Sequence, residues 1–176
     1  MEEKKINYFS PEHPVGCFLL EWWENLESNK ADRARLKRCK TLLDVELNSA
    51  FQYAYWELIK LFDKPPNKEQ CVIIIALAAW VKENIFDPPG TKKDDQAQCF
   101  GYQIAQGSDG PKLHELRFRR LLRVEDRNRL FQVLVKIIRH LEGRVNLLDV
   151  LAIAFYWGDS TRKRLAYQYY EKTKLD

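Results

Sequence analysis

The residues best suited to chemistry lie in one short run, Leu113 to Arg123, where four arginines alternate with large apolar side chains. At helical periodicity one half of a helix gathers Leu113, Phe118, Leu121 and Leu122. The side chains of Arg119, Arg120 and Arg123 point the other way. A guanidinium group presents a planar fork of N–H donors that suits phosphate or carboxylate. The run therefore predicts a helix that packs on one face and binds anions on the other.

A second basic stripe lies on the helix predicted from about Glu125 to Glu142. Its apolar face is formed by Leu130, Leu134, Ile137, Ile138 and Leu141. The opposite face carries, without an intervening acid, Arg129, Gln132, Lys136 and Arg139. Solvated helix faces usually mix the two signs of charge, because neighbouring opposite charges stabilise a helix. We therefore favour phosphate contact over simple solvation for this stripe.

Two further helices present cations outward. The second predicted helix exposes Lys30, Arg33, Lys37 and Arg38, and the last one exposes Lys163 and Arg164. Arg117 and Arg162 instead fall on the packed sides of their helices, and we expect them to form structural ion pairs.

The charge is unevenly distributed along the chain. Residues 1–106 carry 14 Lys and Arg against 16 Asp and Glu, whereas residues 107–176 carry 15 against 9. The loop from Gly107 to Pro111 separates the two segments. This asymmetry favours a polyanion as the partner of the second segment, although basic helices also serve solubility.

An enzymatic interpretation finds little support in the sequence. His13, His114 and His140 are isolated, and the chain has no HExxH motif, phosphate-binding loop or GxSxG turn. The adjacent Asp94 and Asp95 follow two lysines, which is typical of a solvated turn. We expect no catalytic activity, no metal site and no cofactor.

Cysteine spacing and hydropathy predict a soluble cytoplasmic protein. Cys17, Cys39, Cys71 and Cys99 are far apart, as expected for buried free thiols in a reducing compartment. The first residues lack the apolar core of a signal peptide. The longest apolar run, Cys71 to Val81, has 11 residues and is too short to cross a bilayer.

Helical periodicity dominates the chain, and no segment alternates like a strand. We predict an all-α fold of eight to nine helices in two small bundles, an N-terminal lobe over residues 1–106 and a basic C-terminal lobe over 107–176. A helix from about Lys68 to Phe86 is apolar on nearly every side and is expected at the centre of the first bundle. Tyr53 and Trp56 point away from their helix's inner face, where they could stack on a base or pack on a neighbour.

Four segments, in this order, resemble the CasB family, the small subunit of the type I-E CRISPR surveillance complex Cascade. They span nearly the whole chain, and their order with the chain length makes the resemblance fairly specific. The segments are Phe18 to Trp23, Asp32 to Arg38, Arg117 to Leu122, and the closing pattern of Trp157, Arg162, Ala166, Tyr169 and Tyr170.

The resemblance implies a helical, two-lobed, non-catalytic subunit present in two copies in a ribonucleoprotein. Its partners would be the crRNA-bearing repeating backbone subunit, the large PAM-reading subunit, the second copy of itself and the displaced single-stranded non-target DNA, with no membrane. By analogy the strand would lie on Arg33, Lys37, Arg119, Arg120, Arg123, Arg129, Lys136, Arg139, Lys163 and Arg164.

Two other classes stay open. A stand-alone nucleic-acid binder would need a recognition helix with short polar side chains for base edges, which the leucine-rich arginine helix lacks. A protein-binding adaptor would use the same basic face for acidic partners. The salt dependence of single-stranded DNA binding separates these classes, because release of counterions from a polyanion gives a steep slope.

Overall fold

The structure, a computed structural model, describes residues 6–85, 99–107 and 110–173. The all-α class is confirmed, with ten α-helices in the described residues against the predicted eight to nine. The helices are α1 (Pro14–Ser28), α2 (Lys30–Arg38), α3 (Leu42–Glu46), α4 (Ser49–Leu58), α5 (Lys68–Ala78), α6 (Phe100–Ala105), α7 (Glu115–Leu122), α8 (Arg127–His140), α9 (Leu147–Phe155) and α10 (Asp159–Thr173). A 3-10 turn, Ile59–Leu61, extends α4.

Helix α5 lies at the centre of the molecule, as its sequence predicts. Every residue from Cys71 to Ala79 is buried, so after its first turn this helix has no face that meets water. It packs against α9, α4, α3 and α8. Helix α9 is nearly as apolar, because all its residues except Asp149 and Ala152 are buried. The pair α5 and α9 therefore forms the framework on which the other helices are arranged.

Aromatic rings join the first helices to the later ones. Phe155 at the end of α9 stacks on Phe62 at 5.5 Å between centroids and meets Phe9 edge-on at 5.2 Å. The Gln70 side chain on α5 donates to the Phe155 carbonyl at 3.0 Å. One hydrophobic cluster thus includes residues from both sides of the predicted boundary at Gly107. The division into two lobes stays a prediction.

A short strand pair, absent from the predicted fold, ends the central helix early. Glu83–Asn84 (β1) pairs in parallel with Arg144–Val145 (β2). The helix predicted to reach Phe86 therefore stops at Ala78. The Asn84 side chain also accepts from the backbone N–H of Leu147 at 2.9 Å and so fixes the start of α9. The loop expected around residues 87–93 lies outside the described residues.

Side-chain caps account for most helix starts. Asn29 accepts from the Asp32 N–H at α2, and Asn146 accepts from the Asp149 N–H at α9. Thr41 and Asp44 form a capping box that starts α3, a helix the periodicity did not separate from α2. This separate start sets the helical phase of α3, in which Leu43 is 64% exposed.

Three arginines bind backbone carbonyls at the C-terminal ends of helices, where such groups have no partner within the helix. Arg33 donates from Nε to the Ala79 carbonyl at 3.0 Å and from Nη2 to the Val81 carbonyl, beyond the end of α5. Arg127 donates to the carbonyls of Ala154 and Phe155 at the end of α9.

Arg162 completes this set and confirms the structural role predicted for it. Its Nη2 donates to the Val124 carbonyl after α7 at 2.9 Å, and the Trp157 indole donates to the same oxygen at 2.8 Å. Its guanidinium carbon lies 5.6 Å from the centroid of the Trp157 ring. The predicted ion pair is also present, since Asp159 lies 3.7 Å away.

Of the four cysteines, only Cys71 is buried as predicted, and Cys17 is exposed. Burial raises the pKa of the Cys71 thiol to about 12. In the part of the chain that the structure describes, no helix is both long and apolar enough to span a bilayer.

Replacing Arg127 by alanine should lower the free energy of unfolding by about 2 kcal/mol, because two carbonyls at the end of α9 lose a charged donor. Arg127→Lys should recover only part of this loss, since an ammonium group lacks the guanidinium fork. Arg123→Ala, an exposed neighbour, is the control and should change stability by no more than about 0.5 kcal/mol. Thermal melts measure all three, and equal melting of Arg127→Ala and Arg123→Ala would contradict the capping role.

Candidate nucleic-acid interface

A groove of about 390 Å³ between α7 and α8 gathers part of the predicted basic surface. Its apolar floor consists of Leu113, Val133 and Ile137. Its rim is positively charged and consists of Arg117, Arg120, Arg129 and Lys136, with His140 at one end. None of the described residues that line it is acidic. We call this feature the α7–α8 groove.

The packing of α7 determines which arginines reach the groove. Phe118 and Leu121 are buried, and the Phe118 ring stacks on Tyr169 of α10 at 3.9 Å between centroids. Arg117 and Arg120 are one helical turn apart and therefore emerge on the same flank, toward α8. All four rim cations are exposed, and in the described residues none forms an ion pair, so their charge is available to a ligand.

The prediction for Arg117 was wrong, because its side chain is exposed and lines the groove. The error came from counting Leu113 as part of the helix. His114 is the N-cap and α7 begins at Glu115, so the direction of Leu113 is set by its hydrogen bond to Ile104 instead. If the helical phase of α7 is set by Phe118 and Leu121 alone, Arg117 falls at the edge of the packed face.

Arg119 and Arg123 are exposed, as predicted, but they do not line the groove. Residues two positions apart are separated by about 200° around a helix, so Arg119 leaves α7 on the flank opposite Arg117. Its positive charge acts there on Tyr170 of α10. The candidate residues of α7 are therefore divided between two surfaces.

Lys37 and Arg139 meet at a different place, over the ring of Trp80. The Lys37 ammonium lies 5.5 Å and the Arg139 guanidinium carbon 5.8 Å from the ring centroid. Lys82 lies close enough that its charge acts on Lys37. Sequence reasoning did not single out Lys82 or Trp80, because neither belongs to a basic stripe.

Arg33 was predicted to face solvent, but only 14% of its side chain is exposed. It forms an ion pair with Glu27 in addition to its two carbonyl contacts at the end of α5. The carbonyl partners lie 46 and 48 positions further along the chain, so helical periodicity alone gave no signal for them.

The cations of α10 lie away from the groove. Lys163 is exposed and lines a depression together with Tyr167, Glu115 and Glu171. Arg164 lies 3.7 Å from the carboxylate of Asp149. Burial raises the pKa of Asp149, while the Phe100 N–H, which donates to it at 2.7 Å, and Arg164 act in the opposite direction.

Each of the three histidines contacts the backbone through one ring nitrogen. The ring Nδ1 of His13 accepts from the Val15 N–H at the start of α1, and that of His114 accepts from Leu116 N–H at α7. His140 Nε2 lies 2.7 Å from the Lys112 carbonyl. Within the described ranges, no group of three His, Cys, Asp or Glu side chains is arranged to hold a metal ion.

The fold and the groove define the class of protein. It is an all-α protein, and the apolar floor of its α7–α8 groove is surrounded by cations that form no ion pair in the described residues. The chain belongs to the family of the CRISPR-associated protein Cse2, whose family model matches residues 32–170. The resemblance to the CasB family predicted from the sequence is thereby confirmed.

A solved structure supports the fold. A chain in the crystal structure of E. coli Cascade bound to a PAM-containing dsDNA target superposes with a TM-score of 0.68 and 16% identity. The match covers 92% of this chain and 99% of that chain. At this identity the likeness shows a shared fold alone. A comparison with curated proteins gives no match.

Arg164→Ala should destabilise the protein at neutral pH by about 1 kcal/mol, because the Asp149 carboxylate, whose side chain is only 16% exposed, loses its ion-pair partner. Lys163→Ala removes the same charge from the next residue and should leave the melting temperature unchanged. The folded-state pKa of Asp149 is raised, so the folded protein takes up this proton before the unfolded chain does. The difference between the two variants should therefore shrink as the pH falls toward this pKa.

Thermal melts of both variants between neutral and mildly acidic pH test this. A difference that stays constant, or that grows on acidification, would contradict the role given to Arg164.

Proposed function

We propose that this protein is the non-catalytic small subunit of a type I-E CRISPR ribonucleoprotein and that it stabilises the displaced non-target DNA strand. The family match and the shared fold support the assignment to such a complex. The observation that carries the strand-binding role is the α7–α8 groove, whose four rim cations have no acidic neighbour in its described lining.

The chemistry of the groove suits an unpaired strand. Exposed cations contact phosphates without regard to sequence. Opening a duplex against a guide RNA is nearly balanced in free energy, so contacts to the freed strand can shift the equilibrium. Because the guide supplies sequence recognition, a groove that reads only backbone charge is sufficient for this role.

Contacts with the crRNA-bearing backbone subunit, the PAM-reading subunit and a second copy belong to the same proposal. Such subunits would need apolar surface on this chain. Helix α4 and the turn before it provide some, because Leu47, Tyr53 and Trp56 are all more than half exposed. We assign these three residues to subunit packing rather than to base stacking, since no cation of the groove lies on α4.

The absence of catalysis is also part of the proposal. One ring nitrogen of each histidine is already engaged in a backbone contact, which supports this part of the proposal. The groove cations can neutralise phosphate charge, but they supply no nucleophile and no general base.

The combined change Arg117→Ala, Arg129→Ala and Lys136→Ala should weaken binding to single-stranded DNA of any sequence. The slope of log K against log salt should flatten by about 2, at roughly 0.7 for each lost single-strand contact. The matched control is Arg119→Ala, Arg123→Ala and Lys163→Ala, which removes the same charge outside the groove. Fluorescence anisotropy over a salt series measures both.

If both triple variants lose DNA binding equally, only net charge matters. If neither variant loses DNA binding, the groove has no part in the proposed function. Both outcomes count only if the two variants melt like the wild type. We expect this, since exposed charges contribute little to stability.

In the assembled complex, the same groove variant should shorten the lifetime of the opened DNA while leaving guide RNA loading unchanged. The reason is that the groove acts on the displaced strand, which exists only after the duplex opens. Protection of the displaced strand from a single-strand nuclease reports the first quantity, and copurification of guide RNA reports the second. Loss of guide RNA with an unchanged lifetime would assign the groove to the guide instead.

A further inference from the structure

The two walls of the α7–α8 groove form a helical hairpin. One wall is α7 with Leu113, which precedes it, and the other wall is α8. His140 lies in the last turn of α8, and its Nε2 is 2.7 Å from the carbonyl of Lys112, two residues before the α7 N-terminal helix turn begins at Glu115. The start of α7 therefore lies beside the end of α8, while residues 123–126 connect the other two ends. The two helices run antiparallel, with the groove between them.

The closed end of this hairpin, where the chain passes from α7 to α8, is held by two donors to one carbonyl. Val124, which follows α7, accepts from the Trp157 indole at 2.8 Å and from Nη2 of Arg162 at 2.9 Å. A backbone carbonyl has two lone pairs, and two donors occupy them here. The C-terminal end of α7 is therefore fastened to the start of α10 and to the residue before that helix.

At the open end of the hairpin, the backbone is held by a buried hydroxyl group. Tyr169 of α10 is 1% exposed, and its hydroxyl donates to the Leu113 carbonyl at 2.7 Å. Its ring stacks on Phe118 of α7 at 3.9 Å between centroids, which fixes the direction of the hydroxyl. Burial, together with the charges of Glu115 and Tyr170, raises the pKa of Tyr169 to about 12. The hydroxyl therefore keeps its proton at neutral pH and remains a donor.

The two groove arginines of α7 lie at different distances from this open end. Arg117 is four residues after Leu113, whereas Arg120 is four residues before Val124. Because α7 is only about 12 Å long, a rotation about its closed end displaces Arg117 more than Arg120. The other side-chain contact at the open end, between His140 and Lys112, is exposed to water, which competes for it. The position of Arg117 thus depends mainly on the hydroxyl.

We propose that Tyr169 is a positioning residue of the α7–α8 groove, whose hydroxyl holds the start of α7 at the distance from α8 at which Arg117 and Lys136 contact the same anionic chain. This inference rests on the proposed function. Tyr169 carries no charge and is not among the residues that line the groove, so it acts through α7. Binding groups lose affinity when the residues that support them let them move by about 1 Å.

The test removes the hydroxyl and keeps the stacked ring. Tyr169→Phe leaves the net charge unchanged, yet it should bind single-stranded DNA several-fold more weakly. The slope of log K against log salt should flatten by about 0.7, the value of one single-strand contact, because Arg117 no longer reaches a phosphate. The matched control is Tyr167→Phe, the same change on the same helix at a residue that is 79% exposed. It should leave both quantities unchanged.

A double-mutant cycle decides whether the hydroxyl acts through Arg117. In an Arg117→Ala background, Tyr169→Phe should cause no further loss of DNA binding. In an Arg129→Ala background it should cause its full loss, because Arg129 belongs to the other wall and lies in the first turn of α8. An equal loss in both backgrounds would overturn the inference.

A merely structural role predicts a different result. Tyr169→Phe loses a buried hydrogen bond and should melt about 3 °C below the wild type, so binding is measured well below both melting temperatures. A lower melting temperature with wild-type affinity and salt slope would overturn the inference. If the triple groove variant loses binding in the same experiment, the proposed function stands without it, and if that variant also binds like the wild type, both fail.

Discussion

The burial of α5 is the constraint on which the rest of the structure depends. A helix with apolar side chains on every side can be stable in water only when other elements cover it completely. Helices α3, α4, α8 and α9 provide that cover. Each of these outer helices then has an inner face fixed by packing, and its charges must lie on the opposite face or at its ends. The position of the cationic surfaces is a consequence of this arrangement.

The same burial creates a second requirement, at the ends of the helices. Carbonyl groups at a C-terminal helix end need donors, and in a crowded interior water cannot supply them. Arg33 and Arg127 supply donors at the ends of α5 and α9. The high arginine content therefore has two uses in this fold, and only the arginines left on the outer faces can contribute to an anion site.

Much of the fold could be predicted from the sequence where its determinants are local. The apolar segment of α5 was correctly placed at the centre, and its residues Cys71 to Ala78 are all buried. The extent of α5 could not be predicted, because it ends where β1 pairs with a strand 61 positions away. Local propensity contains no information about such a partner.

The same difference between local and long-range determinants applies to the candidate site. Arg120, Arg129 and Lys136 were predicted as outward cations, and the fold brings them to one groove. Arg33 was misplaced because its partners are distant in sequence, and Arg117 was misplaced by a residue that lies just outside the helix. Periodicity gives the face of a helix, but which faces meet depends on tertiary packing.

The arginines that cap helix ends and the arginines of the groove should tolerate substitution differently across this family. A carbonyl pair at a helix end requires two donors in fixed geometry, so Arg127 has no adequate substitute among the basic amino acids. A phosphate in an open groove can be met by a point charge, so lysine is acceptable at Arg129 or Arg120. Across divergent relatives, positions fixed as arginine would then mark the architecture, and positions where arginine and lysine interchange would trace the path of the nucleic acid.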